Sequence, residues 1–210
     1  MRKKLIFIFC LLLLSGCKQI TEDTNYVAKV NNCLKEDIIT NGVGLGYKFY
    51  VPKGVKKLKD YDYNQIFLID ETYLYLYVDI ISFYYKEELQ YPKNDNVYYY
   101  EKFEFNDKKG YILIEEKEGE YYFNIVYNYS KIEGYTKESN LNKIITLSSI
   151  ILNNIDYNDA IIEKILKGDL GQFSEFNYEV KKPEGASSNF SQYLEESVQN
   201  DEESEQLPDE

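Results

Sequence analysis

Histidine and tryptophan are absent from this chain of 210 residues, and cysteine, proline and methionine occur only three, four and one times. Without an imidazole, Ser-His-Asp and Cys-His mechanisms and all histidine metal sites are excluded, because no other unperturbed side chain titrates near neutral pH. The remaining composition is 44% hydrophobic, with 23 Tyr and 11 Phe. A chain of this length and composition can build one hydrophobic core, so global disorder is also excluded.

Positive charge is scarce as well: 24 Lys and Arg stand against 36 Asp and Glu, for a formal charge of −12. Nucleic-acid binding depends on basic side chains that displace counterions from phosphates. We therefore expect no nucleic-acid partner, and no motif in the chain calls for a cofactor.

Residues 1–16 have the organisation of a signal peptide. Three basic residues precede the ten-residue apolar run Leu5 to Leu14, and Ser15-Gly16-Cys17 follows it. Ten residues rise only about 15 Å as a helix, roughly half of a bilayer's hydrocarbon core, so the run is too short for a permanent membrane span. The segment Leu14-Ser15-Gly16-Cys17 resembles the lipobox of bacterial lipoproteins. An ordinary secretory signal with an incidental cysteine is the alternative.

The lipoprotein resemblance implies cleavage between Gly16 and Cys17 and a diacylglyceryl group on the Cys17 sulfur, which would hold the protein on a bilayer. We therefore expect a lipid-anchored protein on the extracytoplasmic face of the cell membrane. The richness in Ile, Asn, Lys and Tyr is typical of AT-rich genomes and suggests a low-GC bacterium of the Gram-positive type. Loss of the three basic signal residues would change the formal charge from −12 to −15.

Cysteine usage predicts no internal disulfide. Cys10 leaves with the signal and Cys17 is committed to lipid, so Cys33 has no partner. Without a histidine to activate it, Cys33 is expected to be a small, partly buried thiol rather than a nucleophile.

Composition divides the mature chain into three parts. Residues 17–33 are polar and aperiodic, which is typical of a tether, and residues 34–182 carry the periodic patterns of an α+β domain. Residues 183–210 contain nine acidic residues and no basic one, which predicts a largely disordered tail. Within the tail, Phe190, Tyr193, Leu194 and Val198 would share one stripe of a short helix, and a fraying segment is an equal alternative.

Period-2 alternation predicts the strands. Leu45, Tyr47, Phe49 and Val51 would share one face of a strand that ends at the Pro52-Lys-Gly54 turn. Turn signals separate the later strands into an antiparallel meander. The predicted strands are Gly44–Val51, Gln65–Asp70, Thr72–Lys86, Asn96–Phe105, Tyr111–Lys117 and Glu120–Tyr129.

A helical period follows the strands. Apolar residues at three- and four-residue spacing predict a helix over Asn140–Asp156 and a second over Asp156–Lys167, with Gly168 as its C-terminal cap. The fold class predicted is therefore α+β, with a mainly antiparallel sheet packed by C-terminal helices.

An opening strand of the form Gly-Tyr-Lys-Phe-Tyr-Val-Pro-Lys-Gly, a meander and a closing helix resemble the PsbP-like fold, which is common in bacterial lipoproteins. The resemblance covers Gly44 to Ile155. It implies an α/β/α sandwich that serves as a noncatalytic accessory or binding module. The second helix and the acidic tail depart from that pattern.

One segment places oxygen ligands at calcium-loop spacing, namely Asp60, Asp62, Asn64 and Glu71. Its sixth position is Gln65, where the sharp turn of such a loop needs glycine, so an acidic turn before a strand is the favoured interpretation. No metal site is favoured. A calcium-responsive surface protein remains an alternative.

Tyrosine supplies the candidate binding surface, because aromatic faces bind sugars and peptides. The alternative is that these residues reflect β-propensity alone. The candidate residues are Tyr73, Tyr75, Tyr77, Tyr98, Tyr99 and Tyr100.

No residue is assigned a catalytic role, and Asp79 within the apolar run 74–83 is expected to be structural. The sequence thus predicts a noncatalytic binding or scaffolding module at the cell surface, with an envelope protein or glycan as partner. An envelope polysaccharide hydrolase that uses paired carboxylates is the competing hypothesis.

Overall fold

A mainly antiparallel sheet forms the centre of the protein in the computed structural model, which describes residues 25–61, 63–93 and 97–169. The predicted α+β class is confirmed. In chain order the elements are α1 (Tyr26–Cys33), β1 (Gly42–Gly44), β2 (Tyr47–Phe49), β3 (Lys56–Tyr61), β4 (Asn64–Ile69), β5 (Thr72–Val78), α2 (Ile80–Tyr85), β6 (Tyr99–Phe105), β7 (Lys108–Lys117), β8 (Glu120–Tyr127), β9 (Ser130–Thr136), a 3₁₀ turn (Glu138–Asn140), α3 (Leu141–Asn153), β10 (Asp156–Tyr157) and α4 (Asp159–Leu166).

The described strands form two sheets. Seven of them pair in the order β3-β4-β5-β9-β8-β7-β6, and every neighbouring pair is antiparallel. Five of the six pairings join strands that follow each other in sequence, whereas β5 pairs with β9. The remaining strands form a small sheet in the order β1-β2-β10.

One face of the large sheet is covered and forms the main core. Helix α3 packs on β8 and β9, and α1 packs on α3 and β6. The small sheet covers the β4 side, where the Phe49 and Phe67 ring centroids lie 5.9 Å apart. Ile132 and Ile144 illustrate the packing, because each is no more than 1% exposed. This covered face contains the side chains that alternation predicted to be apolar.

Residues 26–33 correct the predicted tether. They form helix α1, whose N-cap Asn25 accepts a hydrogen bond from the Ala28 N–H at 3.0 Å. Tyr26 and Val30 are four residues apart and are buried against the core. Helix α1 therefore belongs to the packed domain, which begins before the predicted boundary at residue 34. Cys33, at the end of this helix, is a free buried thiol as expected.

The predicted strand Thr72–Lys86 is also corrected. Strand β5 ends at Val78, and Asp79 caps helix α2 by accepting a hydrogen bond from the Ser82 N–H. The run from Leu74 to Phe83 is apolar on both faces, so its pattern does not distinguish a buried strand from a strand followed by a short helix.

The predicted strand Glu120–Tyr129 ends early, at Tyr127. Asn128 and Tyr129 form a two-residue turn with φ of 48° and 62°, and β9, which was not predicted, pairs back on β8. Glycine generally disfavours strand formation, yet Gly134 lies within β9. A Cβ at this position would collide with the Tyr73 carbonyl oxygen. The glycine allows close strand contact and does not interrupt β9.

Further boundaries differ from the prediction: β6 begins at Tyr99, β7 begins at Lys108, α3 ends at Asn153, and β3 was not predicted. Gly44–Val51 is a hairpin instead of one strand, because Gly46 turns the chain between β1 and β2 with φ of 83°. The second predicted helix begins at Asp159, since Asp156 and Tyr157 pair with β2. Gly168 ends α4 with φ of 77° and donates its N–H to the Ile165 carbonyl, as the sequence predicted.

The predicted signal peptide, the predicted lipobox with Gly16 and Cys17, and the acidic tail lie outside the described residues. No helix in the described part of the chain has the length and apolar character needed to cross a membrane.

Candidate functional site

The candidate site lies on the face of the large sheet opposite α1 and α3, called here the outer face. Directly paired residues share a face, so the register assigns Tyr75, Glu133, Asn124, Leu113 and Tyr100 to one row across five strands. Helices α1 and α3 pack on the opposite face. Part of it is covered by the segment after α2, from which Leu89, Tyr91 and Val97 pack on Tyr111, Leu113 and Val126.

Tyrosine dominates the outer face. Most of these rings are only partly buried and pack against one another, as the Tyr122 and Tyr135 centroids do at 5.3 Å. The outer face therefore presents ring surfaces and hydroxyl groups together. The seven tyrosines on it are Tyr73, Tyr75, Tyr77, Tyr100, Tyr111, Tyr122 and Tyr135.

The six tyrosines predicted from the sequence do not form one platform. Tyr73, Tyr75 and Tyr77 share the outer face on β5, but Tyr100 lies four strands away, a separation of about 19 Å. Tyr99 points to the covered face, where its hydroxyl accepts from the Val27 N–H and donates to Glu101. Tyr98 lies before β6, with its ring 4.9 Å from that of Tyr121.

A charged network lies in the middle of the outer face. Glu133 is only 6% exposed, and both of its carboxylate oxygens accept hydrogen bonds, from the Tyr122 hydroxyl at 2.5 Å and from Lys131 Nζ at 2.8 Å. The Lys131 ammonium also lies 4.2 Å from the centroid of the Tyr77 ring. Burial, followed by the hydrogen bond to Glu133, raises the pKa of Tyr122 well above its ordinary value.

A groove of about 510 Å³ opens beside this network. Its floor includes Tyr77, Lys131, Glu133 and Val126, and α2 with the following residues forms one wall. This volume is in the range of ligand pockets, roughly 300–1,000 Å³. The other lining side chains are a mixture of aromatic, aliphatic, acidic and amide groups: Tyr63, Asn64, Val78, Asp79, Ile80, Ile81, Ser82, Glu87, Glu88, Leu89, Gln90, Tyr129 and Ser130.

Tyr129 enters the groove from a strained turn. Its φ of 62° lies in the left-handed region, which bulky residues rarely adopt and where two-residue hairpins favour glycine. Two contacts hold this turn: the Asp79 N–H donates to the Tyr129 carbonyl at 2.9 Å, and the Tyr157 hydroxyl donates to the Asn128 carbonyl at 2.8 Å. The Tyr129 ring packs edge-on against Phe83, with centroids 5.8 Å apart.

The calcium-loop candidate does not form a loop. Asp60 lies on β3 opposite Gln65, Asn64 begins β4, and Glu71 follows the far end of β4. Six strand residues span about 20 Å, so Asp60 and Glu71 cannot bind the same ion. Each carboxylate instead pairs with a lysine, Lys57 and Lys137 respectively. Asp62 lies outside the described residues, and the described part of the chain contains no cluster of three or more acidic or cysteine side chains suited to a metal ion.

The sequence did not single out Lys131, Glu133 and Tyr135, because β9 was not predicted. A signal was present in the alternation of Lys131, Glu133 and Tyr135 with Ser130, Ile132, Gly134 and Thr136. Asp79 was singled out as a structural residue at a strand edge or bonded to a tyrosine hydroxyl, and it is instead the N-cap of α2.

Comparison of this chain with protein-family models, with curated proteins and with solved structures finds no match.

Proposed function

We propose that this protein is a lipid-anchored binding module on the extracytoplasmic face of the cell membrane, and that the outer face of its large sheet is the binding surface. The observation that carries the proposal is the set of seven tyrosines on the sheet face opposite α1 and α3. Five of these seven rings are partly exposed, and aromatic side chains are enriched at interaction sites. Tyrosine suits this role because its ring buries apolar area while its hydroxyl binds polar groups.

The proposed anchor would keep this surface near the membrane. Asn25, the cap of α1, lies only eight positions after Cys17. Eight residues span at most about 28 Å when fully extended, so a lipid on Cys17 would hold the domain within that distance of the bilayer. The partner would therefore be an envelope protein or glycan that lies close to the membrane.

The proposed module is noncatalytic. A glycosidase needs one carboxylic acid to protonate the leaving group and a second carboxylate about 5–10 Å away. Glu133 is the most buried carboxylate of the groove, and Tyr122 and Lys131 already occupy both of its oxygens. This engagement suits a structural or binding role better than proton transfer. The hydrolase hypothesis predicts that Glu133→Gln abolishes glycan cleavage without loss of fold.

We also propose that the domain has the PsbP-like fold, and this resemblance supports a noncatalytic binding role. A central antiparallel sheet with α3 as the closing helix agrees with it. In the described residues, however, α1 and α3 both lie on one face, and a helical layer on the other face would complete an α/β/α sandwich.

The proposal separates into two tests. Cys17→Ala should block lipidation and leave the protein uncleaved or shed, and globomycin, an inhibitor of lipoprotein signal cleavage, should block processing of the wild type. If globomycin leaves processing unchanged, the lipid anchor is wrong.

Photo-crosslinking in intact cells tests the binding surface. A benzoylphenylalanine in place of Tyr135, on the outer face, should crosslink to discrete envelope components. The same group in place of Ile39, which is 90% exposed in the link between α1 and β1, is the matched control and should not. Equal crosslinking at both positions, or none at either, would contradict the assignment of the surface.

A further inference from the structure

The groove beside the outer face combines three tyrosine rings with an excess of carboxylates. Tyr63, Tyr77 and Tyr129 line it together with aliphatic side chains of α2 and the following segment. Four of the described lining residues are acidic, and Lys131 is the single basic one among them. Because Lys131 is paired with Glu133 at 2.8 Å, the acidic groups near α2 dominate the remaining charge. Those groups are Asp79, Glu87 and Glu88.

The groove already holds an ammonium group of the protein itself. Lys131 Nζ lies 4.2 Å from the Tyr77 ring centroid while it donates to Glu133. Next to the groove, Lys86 Nζ lies 3.7 Å from the centroid of Phe83, the ring that packs against Tyr129. Cations over aromatic faces are stabilised by the ring quadrupole, most strongly where water is displaced. The local chemistry is therefore suited to lysine and arginine side chains.

Charge also discriminates among the occupants that could reach the groove. A second copy of this chain would bring a formal charge of −12, and residues 183–210 would bring nine acidic side chains and no basic one. Like charges brought together in this way weaken association and suppress the wrong partner. The cationic side chains of a basic polypeptide can form cation–π contacts with the aromatic rings and ion pairs with the carboxylates.

We propose that the groove docks an extended, lysine- or arginine-bearing segment of a partner polypeptide. The inference rests on the proposed binding function and names the chemical class of its partner. The partner's ammonium or guanidinium groups lie against Glu87, Glu88 and the faces of Tyr63 and Tyr129. Its intervening aliphatic stems lie along Ile81 and Leu89.

Fluorescence anisotropy with a labelled octapeptide of alternating lysine and serine tests this docking. The full mature chain should bind this probe, and the counterpart with glutamate in place of lysine should not bind. The double variant Glu87→Gln/Glu88→Gln should weaken lysine-probe binding about tenfold, the effect of losing charge complementarity at the site. These side chains are exposed, so the substitutions should leave the fold intact.

A matched control separates docking from attraction by net charge. Glu104→Gln/Asp107→Asn removes the same charge from exposed positions of the β6–β7 hairpin, outside the groove. This variant should bind the lysine probe within about twofold of the wild type. If the two double variants weaken binding of the lysine probe equally, the effect is due to net charge alone and the proposal is overturned.

Competition with a free polyamine is a second test of whether the groove binds a peptide. Spermidine should compete with the lysine probe much less well than the unlabelled peptide does. Competition as strong as that of the peptide would assign the groove to a free polyamine and overturn peptide docking. The crosslinker at position 135 can also be combined with the Glu87→Gln/Glu88→Gln substitutions. If crosslinking is unchanged by them, the groove proposal is overturned, whereas the proposed binding function is retained.

Discussion

Asp79 accepts a hydrogen bond from the Ser82 N–H at 2.8 Å, and this contact marks the end of β5 and the start of α2. The Asp79 N–H also donates to the Tyr129 carbonyl at 2.9 Å, which ties the same residue to the turn between β8 and β9. The side chain of Asp79 thus positions α2, and its backbone N–H positions the turn that carries Tyr129; both border the groove. The role of Asp79 is to hold the groove's shape.

Removal of this cap gives the first stability prediction. Asp79→Ala should lower the free energy of unfolding by about 1 kcal/mol, the usual cost of losing a side-chain N-cap. Asp79→Asn is the matched control and should retain most of the stability, because asparagine caps equally well. Urea denaturation measures both variants. Equal destabilisation by the two substitutions would show that the charge, and not the cap, matters.

Helix α1 supplies a second prediction, which tests the corrected tether boundary. Tyr26 is 2% exposed, and its ring meets Tyr99 edge-on with centroids 5.1 Å apart. Tyr26→Ala should cost about 3 kcal/mol because it leaves a cavity in the core. Asn32→Ala, at an exposed position of the same helix, should change the free energy of unfolding by less than about 0.5 kcal/mol. A wild-type melting curve for Tyr26→Ala would mean that α1 is not part of the folded core.

Alkaline pH should destabilise the protein through its buried phenols. Burial raises the pKa of Tyr127 to about 12, and the Tyr127 hydroxyl donates to the Phe105 carbonyl at 3.1 Å. In the unfolded chain this phenol ionises near pH 10, so the folded state holds the proton more tightly. The contribution is fully present below about pH 10 and is lost as the pH rises towards 12.

The Tyr127→Phe variant isolates this effect. Between pH 10 and pH 12 it should lose less stability than the wild type, by on the order of 1–2 kcal/mol, because it has no phenol to ionise at this position. Urea midpoints across this pH range measure the difference. Parallel pH profiles for the two proteins would show that Tyr127 does not contribute to alkaline unfolding.

Tyr129 should matter more for binding than for stability. Tyr129→Gly relieves a left-handed conformation that costs about 1–2 kcal/mol, which offsets the lost contact with Phe83. We expect a free energy of unfolding within about 1 kcal/mol of the wild type and a several-fold weaker affinity for the lysine probe. Asn128→Gly is the control, because it relaxes the neighbouring position without removing a ring from the groove. If Tyr129→Gly binds the lysine probe with wild-type affinity, Tyr129 does not contribute to the binding surface.

The acidic tail provides a final prediction. Residues 183–210 carry nine acidic side chains and no basic one, and these charges repel the acidic domain. A chain that ends at Lys182 should therefore keep its fold and melt within a few degrees of the full chain. Unfolding or aggregation of the shortened chain would show that the tail covers an apolar face.

Local periodicity was sufficient wherever one face of an element is buried and the other is not. Strand β8 and helix α3 follow from their patterns because each has a distinct apolar face in contact with the core. The Gly168 cap was also predictable, since the left-handed conformation is a local property of glycine. Apolar runs with no polar face were ambiguous, which is why the end of β5 at Val78 was missed.

The sequence by itself determined the α+β class and the side chains of the core face, because the period of an apolar pattern depends only on neighbouring residues. Tertiary structure decided which tyrosines meet on the outer face, because pairing of β5 with β9 joins residues more than fifty positions apart, such as Tyr75 and Glu133. It also decided that Tyr129, Lys131 and Asp79 line one groove, since a hairpin turn without glycine is stabilised by contacts with distant residues such as Tyr157. No local pattern encodes such contacts, and the groove exists only where they form.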